Sequence, residues 1–191
     1  IPDSFVSTAQ FTFYPPGTVV ATAGGSFQNT AFTSQSGGFS ATFTATPSAS
    51  PTDGVIGLSA AAASAYADLA VIVRFNASGM IDARNGGVYQ AAASIPYSPN
   101  TSYAFRLVVN MSAHTYSAYV TPAGGAEQTI CLNHAFRTEQ GGVASLTTWN
   151  AKVDASATGT SLVVSNFSAG TDVQPPSRPT GLKVDPRKSN N

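Results

Sequence analysis

A strict two-residue alternation through the middle of the chain narrows its folding options more than any other feature. In Phe39-Ser-Ala-Thr-Phe-Thr-Ala-Thr46, the residues Phe39, Ala41, Phe43 and Ala45 fall on one side of an extended chain, with Ser40, Thr42, Thr44 and Thr46 on the other. Successive side chains of a strand point to opposite faces, so the pattern predicts an antiparallel strand with one dry face and one wet face. The same period recurs in Leu69, Val71, Val73 and Phe75, in Tyr103, Phe105, Leu107 and Val109, and in Tyr116, Ala118 and Val120. Turn chemistry punctuates these runs at Asn76-Ala-Ser-Gly79, Asn85-Gly-Gly87, Asn110 to His114 and Gly124-Gly125. From Leu69 to Arg137 the chain is expected to form an antiparallel meander. Residues 1–170 as a whole are expected to form one all-β, two-sheet antiparallel jelly-roll sandwich. The alanine-rich stretch Leu58 to Leu69 lacks an amphipathic stripe and reads as a loop or short helical turn, placed to shape a binding surface.

Composition restricts partners. Only 9% of the 191 residues are charged and the formal net charge is zero. Nucleic acid and acidic membrane surfaces, which demand a basic stripe, are therefore poor partners. No run approaches the roughly eighteen apolar residues of a membrane span, so no membrane insertion is expected. No basic-then-apolar segment opens the chain, which is expected to begin as a mature, secreted or cell-surface protein does. The single cysteine, Cys131, excludes an intrachain disulfide and reads as a small apolar strand residue. After Phe167 the character changes: Asp172-Val-Gln-Pro-Pro-Ser-Arg-Pro-Thr-Gly-Leu-Lys-Val184 has adjacent prolines that stiffen an extended spacer, so residues 171–191 are set apart as a linker.

Two resemblances sharpen this picture. Pro175 to Val184 resembles the opening strand of a fibronectin type III domain, with its proline-rich lead and Gly-Leu-x-Val step, which implies a module from a longer chain with neighbouring domains. The segment Tyr103-Ala-Phe-Arg-Leu-Val-Val-Asn-Met-Ser-Ala-His-Thr-Tyr-Ser-Ala-Tyr-Val120, preceded by Ile81-Asp-Ala-Arg-Asn-Gly-Gly-Val-Tyr89, resembles the central hairpins of concanavalin A-like lectin and glucanase domains. That resemblance runs from about Phe39 to Phe167. It implies a jelly-roll fold and an accessory role in an extracellular bacterial polysaccharide-degrading protein, with a polysaccharide or glycan as partner. Lectin-like sandwiches also often carry a structural calcium ion, for which Asp53 and Asp172 are the candidate ligands, each an isolated acid.

The chain offers little to an enzyme. The Glu-x-Asp-x-x-Glu type strand of the related glucanases is absent, and neither His114 nor His134 has a second histidine or an acid at relay spacing. Jelly-roll lyases generally combine an Arg-x-Glu strand with a Gln-x-His strand and a tyrosine-rich strand, and Arg137-Thr138-Glu139 matches the first of these alone. On a strand Arg137 and Glu139 would point the same way, either to hold an acidic sugar or to form an ion pair.

Sugar binding asks for less: aromatic faces for pyranose rings, with amides, carboxylates or guanidiniums for hydroxyls. Trp149 lies in Leu146-Thr-Thr-Trp-Asn150, where the threonines point to a polar surface, although a lone tryptophan in a sandwich is often a core residue. Tyr66, Tyr89, Tyr97 and Tyr119 are further platforms. Asp82 and Arg84 alternate onto one face beside the Asn85-Gly86 turn, as a ligand clamp or as a salt bridge within the hairpin. The expectation is thus a noncatalytic carbohydrate-binding module needing no cofactor. Its alternatives are an adhesive or structural module of a cell-surface protein and a jelly-roll polysaccharide lyase.

Overall fold

The alternating segment becomes an inner strand of one sheet. A computed structural model describes residues 17–171, in which β3 (Gly38–Pro47) buries Phe39, Ala41, Phe43 and Ala45 and turns its hydroxyl residues outward. Before it run β1 (Val19–Thr22) and β2 (Gln28–Gln35); after it come β4 (Gly54–Ser59), β5 (Leu69–Phe75), β6 (Ile81–Asn85) and β7 (Val88–Gln90). The remaining strands are β8 (Tyr103–Asn110), β9 (Thr115–Pro122), β10 (Gln128–Ala135), β11 (Leu146–Val153) and β12 (Ser161–Gly170). They form two six-stranded antiparallel sheets, ordered β1-β12-β3-β8-β9-β10 and β2-β11-β4-β5-β6-β7, packed as a jelly-roll sandwich. Among the described residues no helix is long and apolar enough to cross a membrane. Residues 1–16 of the expected sandwich, and the spacer from Asp172 with its fibronectin-like Pro175–Val184, lie outside the described residues.

The single meander expected from Leu69 to Arg137 is two. β5, β6 and β7 lie side by side in the second sheet, and β8, β9 and β10 in the first. The chain changes sheet in the segment 91–102, where Pro96 and Pro99 lack the N–H that a ladder requires. That crossing is pinned by the buried Ile95 and Tyr97 and by bonds from Ile81 N–H to the Ile95 carbonyl and from Tyr97 N–H to the Gly79 carbonyl, 2.8 and 3.0 Å. A register shift between Leu58 and Ser59 also takes Leu69 off the face of Val71, Val73 and Phe75, so that it packs with Ile72 on the other side of the sheet.

Rings fill the space between the sheets. Phe43 stacks on Phe105 at 5.0 Å, and Phe75 meets Phe105, Tyr103 and Tyr97 edge to face at 5.6, 5.5 and 4.9 Å. Each such burial contributes about 1.5–3 kcal/mol. Cys131 is buried and unpaired, and burial pushes its thiol up to about 12, which makes it inert as a nucleophile.

Tyr116, 1% exposed on β9, reaches across to the second sheet: its hydroxyl lies 2.8 Å from the Ile72 carbonyl and 2.6 Å from that of Arg84. It thereby holds the middle of β5 and the end of β6 against the first sheet. Tyr116→Phe leaves both carbonyls without that donor inside the core, and a loss of about 1–3 kcal/mol is expected, read as a lower urea midpoint at unchanged slope. An unchanged midpoint would show that neither carbonyl depends on the phenol.

Candidate functional site

The outer face of the second sheet departs from the simple rule of one dry and one wet side. Val55, Leu69 and Ile72 point outward, and the loop after β4 folds back so that Ala63 covers them. Two amides, one on the exposed Asn29 and one on the buried Asn150, fasten this loop: Asn29 accepts from Ala63 N–H at 2.8 Å and donates to its carbonyl at 3.0 Å, while Asn150 donates to Asn29 at 2.6 Å and accepts from the Ser59 hydroxyl at 2.9 Å. A single 3-10 turn at Tyr66–Asp68 then sets the Tyr66 ring edge-on to Phe27, 5.3 Å away. The stretch from Leu58 to Leu69, expected as a loop or short helical turn, begins and ends in strand and holds between them a loop closed by this turn, which carries a site residue.

Beside this turn lies a depression of about 270 Å³ lined by Asp53, Val55, Tyr66, Arg74, Tyr89, Arg137 and Asp154. Its volume is a little below the usual range for small-ligand pockets, roughly 300–1,000 Å³, and suits a single ring-sized unit better than a long segment. Arg74 occupies its floor. The guanidinium donates to Asp82 through Nε at 2.9 Å and Nη2 at 2.8 Å, lies 3.7 Å from the centre of the Tyr89 ring, and reaches to 4.0 Å from the Asp53 carboxylate. Asn76 adds a third hydrogen bond to Asp82, 2.8 Å.

Asp53 and Asp154 are cross-strand neighbours, since Val153 pairs with Gly54 and Asp154 N–H donates to the Asp53 carbonyl at 3.0 Å. Their carboxyls are held differently. Burial pushes Asp53 up, with the Asp154 and Asp82 charges adding to burial and Arg74 opposing it. Asp154 is held below the usual carboxylate range by the Ser156 backbone N–H and hydroxyl, at 2.9 and 2.8 Å. Burial raises the Tyr66 phenol to about 12, with the Asp154 and Asp53 charges adding to it; its hydroxyl is 3.4 Å from Asp154. Tyr89 is raised chiefly by burial too.

The residues expected from sequence divide between this depression and the framework. Tyr89 and Arg137 line it, and Asp82 lies directly beneath as the partner of Arg74. Asp82 and Arg84 do share a face, but they do not form the expected clamp: Arg84 Nε donates to the Gly86 carbonyl at 2.8 Å and its guanidinium stands 5.0 Å from the Tyr89 ring. Arg137 and Glu139 are not on a strand. They flank and enter a 3-10 turn, Thr138–Gln140, where Nη2 donates to Glu139 at 3.2 Å; Arg137 Nε is 3.0 Å from the second oxygen, off the N–H axis, so that this contact is an ion pair without an aligned hydrogen bond.

Trp149 and Tyr97 are not surface platforms. Trp149 is 2% exposed and stacks on Phe167 at 5.1 Å, because its threonine and asparagine neighbours find their partners in the folded-back loop instead of in water. Tyr97 is 5% exposed; its hydroxyl accepts from Thr52 N–H at 2.7 Å and donates to the Asn76 carbonyl at 2.8 Å. It thereby ties the turn that carries Asp53 to the β5–β6 hairpin. The sequence reading passed over Arg74 and Asp154. Arg74 carried a signal, as a lone cation on the wet side of an otherwise apolar strand, whereas Asp154 joins the site only through strand pairing.

The calcium expectation meets poor chemistry here. Asp53 faces a guanidinium where a calcium site would bring more oxygen ligands, Asp172 lies outside the described residues, and among the described residues no three acidic, histidine or cysteine side chains converge as a metal site.

Comparison with known proteins supports the fold class. No family model matches the chain. A gellan lyase of Bacillus sp. is 29% identical over 97 residues, which is 49% of this chain and 4% of that protein, so the likeness concerns a small part of a much longer chain. The lectin I-B4 of Griffonia simplicifolia superposes with a TM-score of 0.53 at 10% identity, covering 87% of this chain and 96% of the lectin. A sialidase gives 0.55 at 9% identity, covering 82% of this chain and 15% of that one. A β-glucanase catalytic domain from Podospora anserina gives 0.52 at 8%, covering 81% and 71%. The fold is that of the concanavalin A-like lectins and glucanases, and identities this low speak to fold alone.

Proposed function

We propose that the chain is a noncatalytic glycan-binding module of a secreted polysaccharide-degrading protein, holding sugar in the depression on the outer face of the second sheet. The observation that carries this reading is the convergence there of two carboxylates, two guanidiniums and two phenols, the groups that hydrogen-bond sugar hydroxyls and pack on pyranose rings. The partial likeness to a gellan lyase supports an origin in a polysaccharide-degrading protein with other domains. Tethering to such domains would make weak affinity useful.

Catalysis fits these groups less well. A lyase needs a base to take the proton beside a uronate carboxyl, yet burial raises the Tyr66 phenol to about 12, which keeps it protonated at pH 7. Hydrolysis needs two carboxyls flanking the scissile bond, whereas Asp53 and Asp154 stand next to each other on one wall.

Titration calorimetry against soluble polysaccharides, gellan included, tests this reading. Binding is expected, and Tyr66→Ala should weaken it by on the order of tenfold, the worth of one aromatic contact. No binding to any glycan would overturn the reading, and release of unsaturated products or new reducing ends would replace it with a lyase or a hydrolase.

A further inference from the structure

We infer that this depression, taken as the glycan site, selects neutral sugar units and rejects uronates, with Asp53 as the acceptor that makes the selection. Asp53 is an unusual carboxylate. Its backbone sits in the left-handed region, φ 48°, in the turn that Tyr97 ties down, and its side chain is about three-quarters covered, 25% exposed. An aspartate tolerates that conformation better than most residues, but it still has to be held there. Among the described residues the carboxylate accepts no hydrogen bond, and Arg74 stands off at 4.0 Å. A partly buried carboxylate whose oxygens still reach solvent takes its donors from water or from a ligand that replaces it.

The surrounding charge says what kind of donor. The guanidiniums of the depression already have anionic partners: Arg74 is held in a two-point pair by Asp82, and Arg137 makes one aligned hydrogen bond to the exposed Glu139, with its Nε left without one. Among the described residues neither Asp53 nor Asp154 has a cation at hydrogen-bond distance, and Asp154 accepts from Ser156 on one oxygen and, at 3.4 Å, from Tyr66 on the other. With Arg84 and the Lys152 ammonium beside Asp154 included, four carboxylates (Asp53, Asp82, Glu139, Asp154) meet four cations, so the depression carries no net positive charge to attract a uronate. A uronate brought here would meet Asp53 and Asp154 as like charges in a partly desolvated site, and displacing Asp82 from Arg74 to receive it would strand a second buried acid. A pair of sugar hydroxyls donates to Asp53 and to Asp154 Oδ2, which otherwise takes only the long 3.4 Å bond from Tyr66, without any of these costs, since those two acids stand next to each other on adjacent strands.

The test is calorimetry on the whole chain with two neutral polymers, hydroxyethylcellulose and dextran, and two polymers made of uronates throughout, polygalacturonate and alginate. At least one neutral polymer should bind and the uronates should bind on the order of tenfold or more weakly, while Asp53→Asn should cost the neutral polymer on the order of tenfold, the worth of a charged acceptor. Folding is not at risk in that variant. A raised carboxyl binds its proton more tightly in the folded chain than in the unfolded one, so its stabilising contribution is complete below 3.8 and is lost as the pH rises through the folded value. Asp53→Asn should therefore be more stable than the parent at pH 7, with the gain shrinking towards pH 3.8. Equal or tighter binding of polygalacturonate overturns the selection while leaving the glycan reading in place, as does an Asp53→Asn variant with full neutral-polymer affinity. Failure of all four polymers overturns both.

Discussion

Trp149→Ala is expected to lower the unfolding free energy by about 3–5 kcal/mol, the range for removing a buried aromatic side chain. The indole is 2% exposed, lies over Phe167 with an interplanar angle of 14°, and belongs to the layer in which Phe32 also meets Phe167 at 5.3 Å. Truncation leaves a cavity where β11 of one sheet faces β12 of the other, and a rigid sandwich closes only part of it. Urea unfolding followed by far-ultraviolet circular dichroism measures the loss. Trp149→Phe should recover most of it, which separates packing from any polar role of the indole. A stable Trp149→Ala protein with impaired glycan binding would instead restore the tryptophan as a ligand platform.

The misplacement of Trp149 has a traceable cause. Along β12, Leu162 and Val164 point inward, and simple alternation would put Asn166 in the core and Phe167 in water. A bulge between Ser165 and Ser168, with Asn166 at φ 56°, reverses the parity and turns Phe167 in against Trp149. Asparagine is among the few residues that accept such a conformation, but one asparagine in a strand does not announce a bulge. The polar flanks misled for a second reason: Thr148 and Asn150 face outward and are covered by the loop after β4, so that hydroxyl and amide there mean a satisfied network instead of a wet surface.

What sequence displayed well was whatever depends on period alone. The inner faces of β3, β8 and β9 bury the residues the alternation selects, because a one-residue slip would move each set into water. The site was only partly legible. Tyr89, Asp82 and Arg137 were visible as polar or aromatic residues near turns, but their company depends on which strands are neighbours. Asp53 meets Asp154 because β4 pairs with β11, a contact spanning much of the chain, and no local pattern encodes it.

Arg74 is where the fold and the proposed function meet, and Arg74→Ala should damage both. Breaking a fully buried ion pair by removing one partner costs about 3–5 kcal/mol; since the Arg74 and Asp82 side chains are 24% and 12% exposed and Asn76 still bonds Asp82, a loss of about 2–3 kcal/mol is expected. The stacking contact on Tyr89 falls within that sum, because the same guanidinium makes both interactions. Arg74→Lys keeps the charge but not the two-point fork or the flat stack, and should recover less than half of the loss. A double-mutant cycle with Asp82→Ala isolates the pair: a coupling of about 1–3 kcal/mol is expected for groups in direct contact. Binding provides the second readout. Without Arg74 the floor of the depression opens and Asp53 loses the cation that partly offsets its burial, so Arg74→Ala should bind glycan more weakly even at temperatures where it is fully folded. Full stability in Arg74→Ala would mean that Asp82 is solvated without its partner, and the depression would then be a loose surface feature instead of a built site.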